Sequence, residues 1–257
     1  VTAWLDYFWP ETITPEGYGV LRNHLGIRDF DALQIAEYEL AGERSRQLLQ
    51  GEVRIPLEPD VSYLQNVHRH LFQDVYPWAG ELRNTNMGKE GSEFADRDLL
   101  RVYLRPLMRT VVSTEWKQLD HEDFSRMSAV TFAGINHGHP FREGNGRTTK
   151  AVLHEISKLS NFELDFNQVS PDQWNAMAAA SMPGPGEIMP RSEEAMAVFR
   201  TVAVRRVTPV PDQRKQAARE TSKRIFSSKQ QGQEASRTLR AGKTPEKSQG
   251  QGYGKGF

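Results

Sequence analysis

The stretch "INHGHPFREGNGRTTK", residues 135–150, sets a histidine, a carboxylate, a Gly-Asn-Gly turn and an arginine between His139 and Arg147. Apolar residues recur after the glycines at Val152, Leu153, Ile156 and Leu159, so Gly144, Asn145 and Gly146 stand where a helix begins. Backbone N–H groups at a helix start favour an anion, and glycine lets a phosphate oxygen come close. Arg147 in the first turn opposes the helix dipole unless an anion sits there, and arginine holds a phosphate through two parallel hydrogen bonds. Glu143 would repel a bare phosphate; Mg²⁺ resolves the conflict, because it takes one or two carboxylates together with phosphate oxygens and waters. His139, on the turn ahead of the helix, is suited to take a proton from a hydroxyl as that oxygen attacks phosphorus. The set describes metal-assisted nucleotidyl or phosphoryl transfer onto a hydroxyl.

Outward from this stretch the body reads as helices. Tyr63, Leu64, Val67, Leu71, Phe72 and Val75 repeat at helical spacing, as do Phe124, Met127, Thr131, Phe132 and Ile135 behind Asp120, an N-cap. Ser170-Pro171-Asp172-Gln173 is a capping box with proline at the first helical position, and Ser192 is expected to cap a helix carrying Met196, Phe199 and Val202. Pro106 is expected to kink the helix between Leu99 and Val112 or to start a second one. "ELRNTNMGKEGSEF", residues 81–94, breaks the period with turn residues and suits a short hairpin or flap.

Composition bounds the setting. The chain of 257 residues contains no cysteine, which excludes disulfides, Cys-ligated zinc and thiol nucleophiles and fits a reducing, cytoplasmic compartment. No run approaches the roughly 18 apolar residues of a membrane span. The formal net charge is zero, but residues 201–257 hold 13 Lys and Arg against 4 Asp and Glu, so a basic end follows an acidic body. From about Thr208 onward Gln, Ser, Gly, Lys and Arg dominate, and such a segment cannot offset its ordering entropy by burial. The expected organisation is an aromatic-rich lead-in over residues 1–20, a catalytic domain over 21–206 and a disordered basic tail over 207–257.

A chance match to seven specified motif positions is on the order of 10⁻⁹ per start point at average residue usage. "HPFREGNGR" resembles the signature of Fic-domain proteins, HxFx(D/E)GNGRxxR, and the resemblance spans roughly residues 21–204, including "YPWAGELRN", residues 76–84. It implies an all-α helical bundle with a small β-hairpin flap, and AMPylation: transfer of AMP from ATP to a protein hydroxyl, with release of pyrophosphate. By position, His139 would be the general base and Glu143 would hold Mg²⁺. Gly144, Asn145, Gly146 and Arg147 would bind the phosphates, with Lys150 at the motif's final arginine. That substitution keeps the charge and loses the bidentate fork. The flap at 87–94 would dock a target protein by strand pairing. "LRNHLGIRDFDALQIAEYEL", residues 21–40, resembles the opening of the VbhT-like toxin branch, which implies DNA gyrase or topoisomerase IV as targets. Alternatives are a kinase or other nucleotidyl transferase on the same fold, and a catalytically silent interaction module.

Other features carry weaker readings. His68 with His70, and His137 with His139, lie two apart and would not share a helix face, which argues against a metal pair. Trp4, Tyr7, Phe8 and Trp9 are read as packing, Phe141 as an apolar plug under the motif turn, and Arg142 as solvent-facing. The basic tail suits a solvated end first, then contact with nucleic acid or with a secretion system, the latter implying export as an effector. The resemblance also implies restraint, since members of the family are often held inactive by a helix bearing [S/T]xxxE[G/N]. The one match here, "TITPEG" at residues 12–17, has Pro15 inside it, so restraint is expected in trans from a small antitoxin protein.

Overall fold

The computed structural model describes residues 2–89, 92–184 and 186–206. The expected disordered tail, 207–257, lies outside them. Residues up to Arg206 form one compact unit that takes in the aromatic-rich lead-in. A helical turn α1 (Thr2–Leu5) precedes α2 (Phe30–Gln50) and α3 (Ser62–Phe72); the flap strands β1 (Gly88–Lys89) and β2 (Ser92–Glu93) follow. Then come α4 (Leu100–Ser113), α5 (His121–Gly138), α6 (Asn145–Ser157), β3 (Phe162–Leu164), α7 (Pro171–Ala180), α8 (Met196–Val202) and β4 (Ala203–Arg205).

The all-α bundle with a hairpin flap is what forms. α5 lies in its middle, packed by α4, α6 and α8, while α2 and α3 close over α6 from the other side. Phe124, Ala129, Phe132, Ala133 and Ile135 of α5 are all but fully buried, as are Tyr63, Leu64, Val67, Leu71 and Phe72 along α3. Burial of one such side chain stabilises the fold by about 1.5–3 kcal/mol, which is why these two stripes set the architecture. Two of the caps act as the sequence indicates. Asp120 accepts the Asp123 N–H at 2.9 Å, and Ser170 and Gln173 complete a capping box.

At four places the local structure narrows, corrects or adds to the sequence reading. Pro106 lies inside one helix, so no second helix starts there. Ser192 does not cap α8: a 3₁₀ turn, Ser192–Ala195, leads into that helix, and Arg191 precedes the turn without a side-chain cap. Leu159 is 49% exposed, because α6 stops at Ser157 and the residue falls beyond the buried face. Phe162-Glu163-Leu164, without a strong pattern of its own, pairs antiparallel with Ala203-Val204-Arg205 as a second two-stranded ribbon.

Candidate active site

The motif turn joins α5 to α6 and is built from three bends. His139 caps the C-terminus of α5 in a left-handed conformation (φ 42°, ψ 58°), with its N–H donating to the Ile135 carbonyl at 2.9 Å. Phe141 is fully buried, the plug its apolar character suggests, and its ring stacks on that of His68 at 3.9 Å. Gly144 turns the chain into α6 at φ 76°, where a Cβ would lie 2.3 Å from the Phe72 ring. The side chain of Asn145 closes the loop from within: its Oδ1 accepts the Phe141 N–H at 2.9 Å and its Nδ2 donates to the Phe141 carbonyl at 2.8 Å. Only the backbone of Asn145 is therefore left for an anion.

The groups named from sequence divide between two cavities. The larger, about 560 Å³, is walled by His139, Asn145, Gly146 and Thr149 of the motif, by Phe94 of the flap, and by Asn136, Trp174, Ala178 and Met182. It is of the size of a small-ligand site, apolar with a few convergent polar groups. A Cβ on Gly146 would meet no protein atom within 4 Å, so that glycine leaves the cavity wall bare at the N-terminus of α6. The first turn of α6 carries no acidic residue, and its leading N–H groups have no carbonyl one turn earlier to bond. Lys150 stands beside this cavity with its ammonium 4.6 Å from the centre of Trp174 and 5.4 Å from that of Phe166. Burial there pulls its pKa below the ordinary lysine value.

Glu143 and Arg147 line the smaller cavity, about 250 Å³, with Glu37, Tyr38 and Tyr76. Arg147 forms an ion pair with the buried carboxylate of Glu37 on α2, which also accepts a hydrogen bond from the Tyr76 hydroxyl. Burial first, and the Glu37 charge second, raise the Tyr76 pKa. The Arg147 guanidinium lies over Phe72 at 4.7 Å, and Glu143 is 4.0 Å away. A phosphate at Arg147 would therefore share the arginine with Glu37. One Glu143 oxygen accepts the Gly144 N–H at 2.9 Å, and about half of the side chain is exposed. Among the described residues no three His, Cys, Asp or Glu converge as a metal site. With Glu37 engaged by Arg147, the accessible Glu143 carboxylate fits Mg²⁺ that arrives with a nucleotide and draws its other ligands from phosphate and water.

Arg83 went unread in the sequence. Arg83 is 3% exposed and points its guanidinium at backbone carbonyls: Nε to His139 at 2.8 Å, Nη1 to Thr85 at 2.7 Å, and Nη2 to Ala95 and Gly138. The base of the flap is thereby tied to the end of α5, and the Phe94 ring lies flat on the His139 imidazole, 3.7 Å between centres. His68 is fully buried, and burial pushes its pKa down to about 4. It is engaged by Gly80 and the Glu143 carbonyl, and His70 by the Arg44 carbonyl, so the pair is structural. Arg142 reverses its expectation. It is 9% exposed, with its guanidinium 4.1 Å from the Trp4 ring centre. Arginine's long stem and its attraction to aromatic faces make such burial favourable, and the lead-in is thereby fastened to the motif turn.

"TITPEG" forms no inhibitory helix. Thr12 ends a 3₁₀ turn, Glu16 is exposed, and a hydrogen bond from Thr14 is the main cause of its lowered pKa. No described helix is long and apolar enough to cross a membrane.

Comparison with known proteins agrees with this fold. The Fic/DOC family profile matches residues 58–157. Protein adenylyltransferase VbhT of Bartonella schoenbuchensis is 30% identical over 184 residues, 71% of this chain, and the chain spans only 37% of that relative's length. A probable protein adenylyltransferase of Sinorhizobium fredii, y4lH, is 33% identical over 165 residues, 62% of this chain and 81% of its own. Among solved structures, BepC of Bartonella tribocorum, crystallised with bound AMPPNP, superposes with a TM-score of 0.67 at 22% identity, covering 79% of this chain and 98% of that one. The N-terminal Fic domain of a Bartonella sp. AR 15-3 effector gives 0.67 at 24% identity over 77% and 91%. Motif, fold and relatives coincide: the chain belongs to the Fic/DOC family.

Proposed function

We propose that this chain transfers AMP from ATP to a Ser, Thr or Tyr hydroxyl of a target protein. The observation that carries the reading is the placing of His139: its ring is held flat against the flap, in the wall of the cavity that also exposes Gly146 and the start of α6. An adenosine moiety would fill the apolar part of this cavity, and the α-phosphate would meet the N–H groups opening α6. The target hydroxyl attacks the α-phosphorus while the neutral imidazole takes its proton. An O–P bond forms to AMP, the bond to the bridging oxygen breaks, and pyrophosphate leaves with that electron pair. Glu143 would hold Mg²⁺ carried in with ATP, which supplies neutralisation of the phosphate charge.

A target segment would lie along the flap at 87–94, pairing with strand backbone next to the base. The resemblance of residues 21–40 to the VbhT-like branch makes DNA gyrase and topoisomerase IV the first targets to test. Restraint would come in trans, from a small partner supplying a glutamate toward Lys150. The experiment is to incubate the protein and a bacterial lysate with Mg²⁺ and ATP labelled on either the α- or the γ-phosphate. Label on protein from α alone, lost in His139→Ala by about 10²–10⁴-fold, is expected. Label from γ alone would replace AMP transfer with phosphoryl transfer, and none at all would favour an interaction module.

A further inference from the structure

The Glu143–Gly144 peptide sits between two anchors. On one side the Glu143 carbonyl accepts a hydrogen bond from Nε2 of His68 at 3.0 Å. On the other the Gly144 N–H donates to the Glu143 carboxylate at 2.9 Å. The peptide is trans, so its C=O and N–H point in opposite directions, and fixing one aims the other. The tautomer of His68 is itself fixed. The Gly80 N–H donates to Nδ1 at 2.8 Å, which leaves Nδ1 unprotonated and puts the ring's proton on Nε2. Neither ring nitrogen has freedom to turn away, because the imidazole is fully buried and stacks on Phe141 at 3.9 Å. Phe72 closes the remaining side, 4.7 Å from His68 and against the α-carbon of Gly144.

We propose that His68 is a positioning residue for the Glu143 carboxylate: it holds the plane of the 143–144 peptide, whose N–H holds the carboxylate ready for a nucleotide-borne divalent cation. The proposal rests on the reading of Glu143 as the Mg²⁺ ligand. His68 touches neither nucleotide nor reacting atoms; it acts through one peptide group. Outer-shell partners of this kind typically change metal affinity by about 10–100-fold.

Two substitutions separate its two arms. In His68→Asn the amide oxygen stands near the place of Nδ1 and can accept from Gly80, but the side chain is too short to reach Glu143. In His68→Gln the amide nitrogen extends toward the place of Nε2 and can donate to the Glu143 carbonyl. Calorimetry of a non-hydrolysable ATP analogue across a Mg²⁺ series, with thermal unfolding as the check on folding, reads the difference without turnover. The expected result is a Mg²⁺ requirement raised about 10–100-fold in His68→Asn and restored to within about 3-fold of the parent in His68→Gln. Equal Mg²⁺ requirements in the two variants would overturn the proposal. Should both fail to fold, ¹⁵N spectra of the unaltered protein decide: an Nε2-protonated imidazole whose Nε2 resonance moves when Mg²⁺ and the analogue bind supports it. A proton on Nδ1, or an Nε2 resonance indifferent to Mg²⁺, refutes it. A Glu143→Ala protein with the parent's Mg²⁺ requirement would instead remove the underlying reading, whatever the His68 variants do.

Discussion

Replacing Arg83 by methionine keeps most of the aliphatic stem and removes the donors that finish α5. The last carbonyls of a helix lack intrahelical partners. Here the Ala95 N–H takes the carbonyl of His137, while Arg83 takes those of Gly138 and His139. A cation at this negative end also complements the dipole, for about 0.3–1 kcal/mol. Of the four carbonyls Arg83 serves, those of Gly138 and Ala95 belong to buried residues, whereas Thr85 and His139 are partly exposed and can rehydrate. Two buried acceptors left unpaired cost about 1–3 kcal/mol each. Relief from holding a buried guanidinium, whose pKa burial already lowers, offsets part of that. The net loss should be about 3 kcal/mol. For a folded unit of this size that is a fall in Tm of roughly 6–12 °C. Scanning calorimetry of Arg83→Met against Arg83→Lys, which restores the charge but only one direction of donation, measures it. A Tm within about 2 °C of the parent would mean that water pairs these carbonyls and the clamp holds nothing.

Glu143→Ala should lose activity that rising Mg²⁺ partly restores; an unchanged Mg²⁺ titration would place the ion on another residue. Lys150→Arg should tighten ATP about 3–10-fold, since a planar fork can grip the outermost phosphate and still stack on Trp174; calorimetry with no change would detach Lys150 from the phosphates. His154 is pushed down to about 4, by burial first and by Lys158 and Arg206 next. Its folded pKa lies below the unfolded value, so the unfolded chain binds the proton first. Its contribution is complete above about pH 6.5 and is lost toward pH 4 at up to about 1.4 kcal/mol per pH unit. Urea unfolding of the parent and His154→Gln at several pH values should show a shallower slope in the variant.

What the sequence discloses is what depends on neighbours in the chain. Asp120 and Ser170 cap helices a few residues away, the α3 and α5 stripes follow a 3.6-residue period, and Phe141 is apolar in a polar turn, so each was readable in place. The supports of the site join distant segments: Arg83 to His139 across 56 residues, His68 to Glu143 across 75, Arg147 to Glu37 across 110. No periodicity encodes such pairs. Arg142 misled for a related reason, since a charged residue reads as exposed until an aromatic face from the lead-in is known to cover it. The β3–β4 ribbon was hidden because three residues per strand fall below any alternation that can be counted.

Among the described residues His139 is the single non-glycine residue with positive φ. The left-handed conformation costs an ordinary residue about 1–2 kcal/mol, which glycine escapes. His139→Gly would recover about that much and forfeit the Phe94 stack, worth about 0.5–1.5 kcal/mol. The two effects oppose each other. The backbone at this bend thus asks for glycine while the ring contact asks for an aromatic side chain, and the chain keeps the side chain at the expense of the bend.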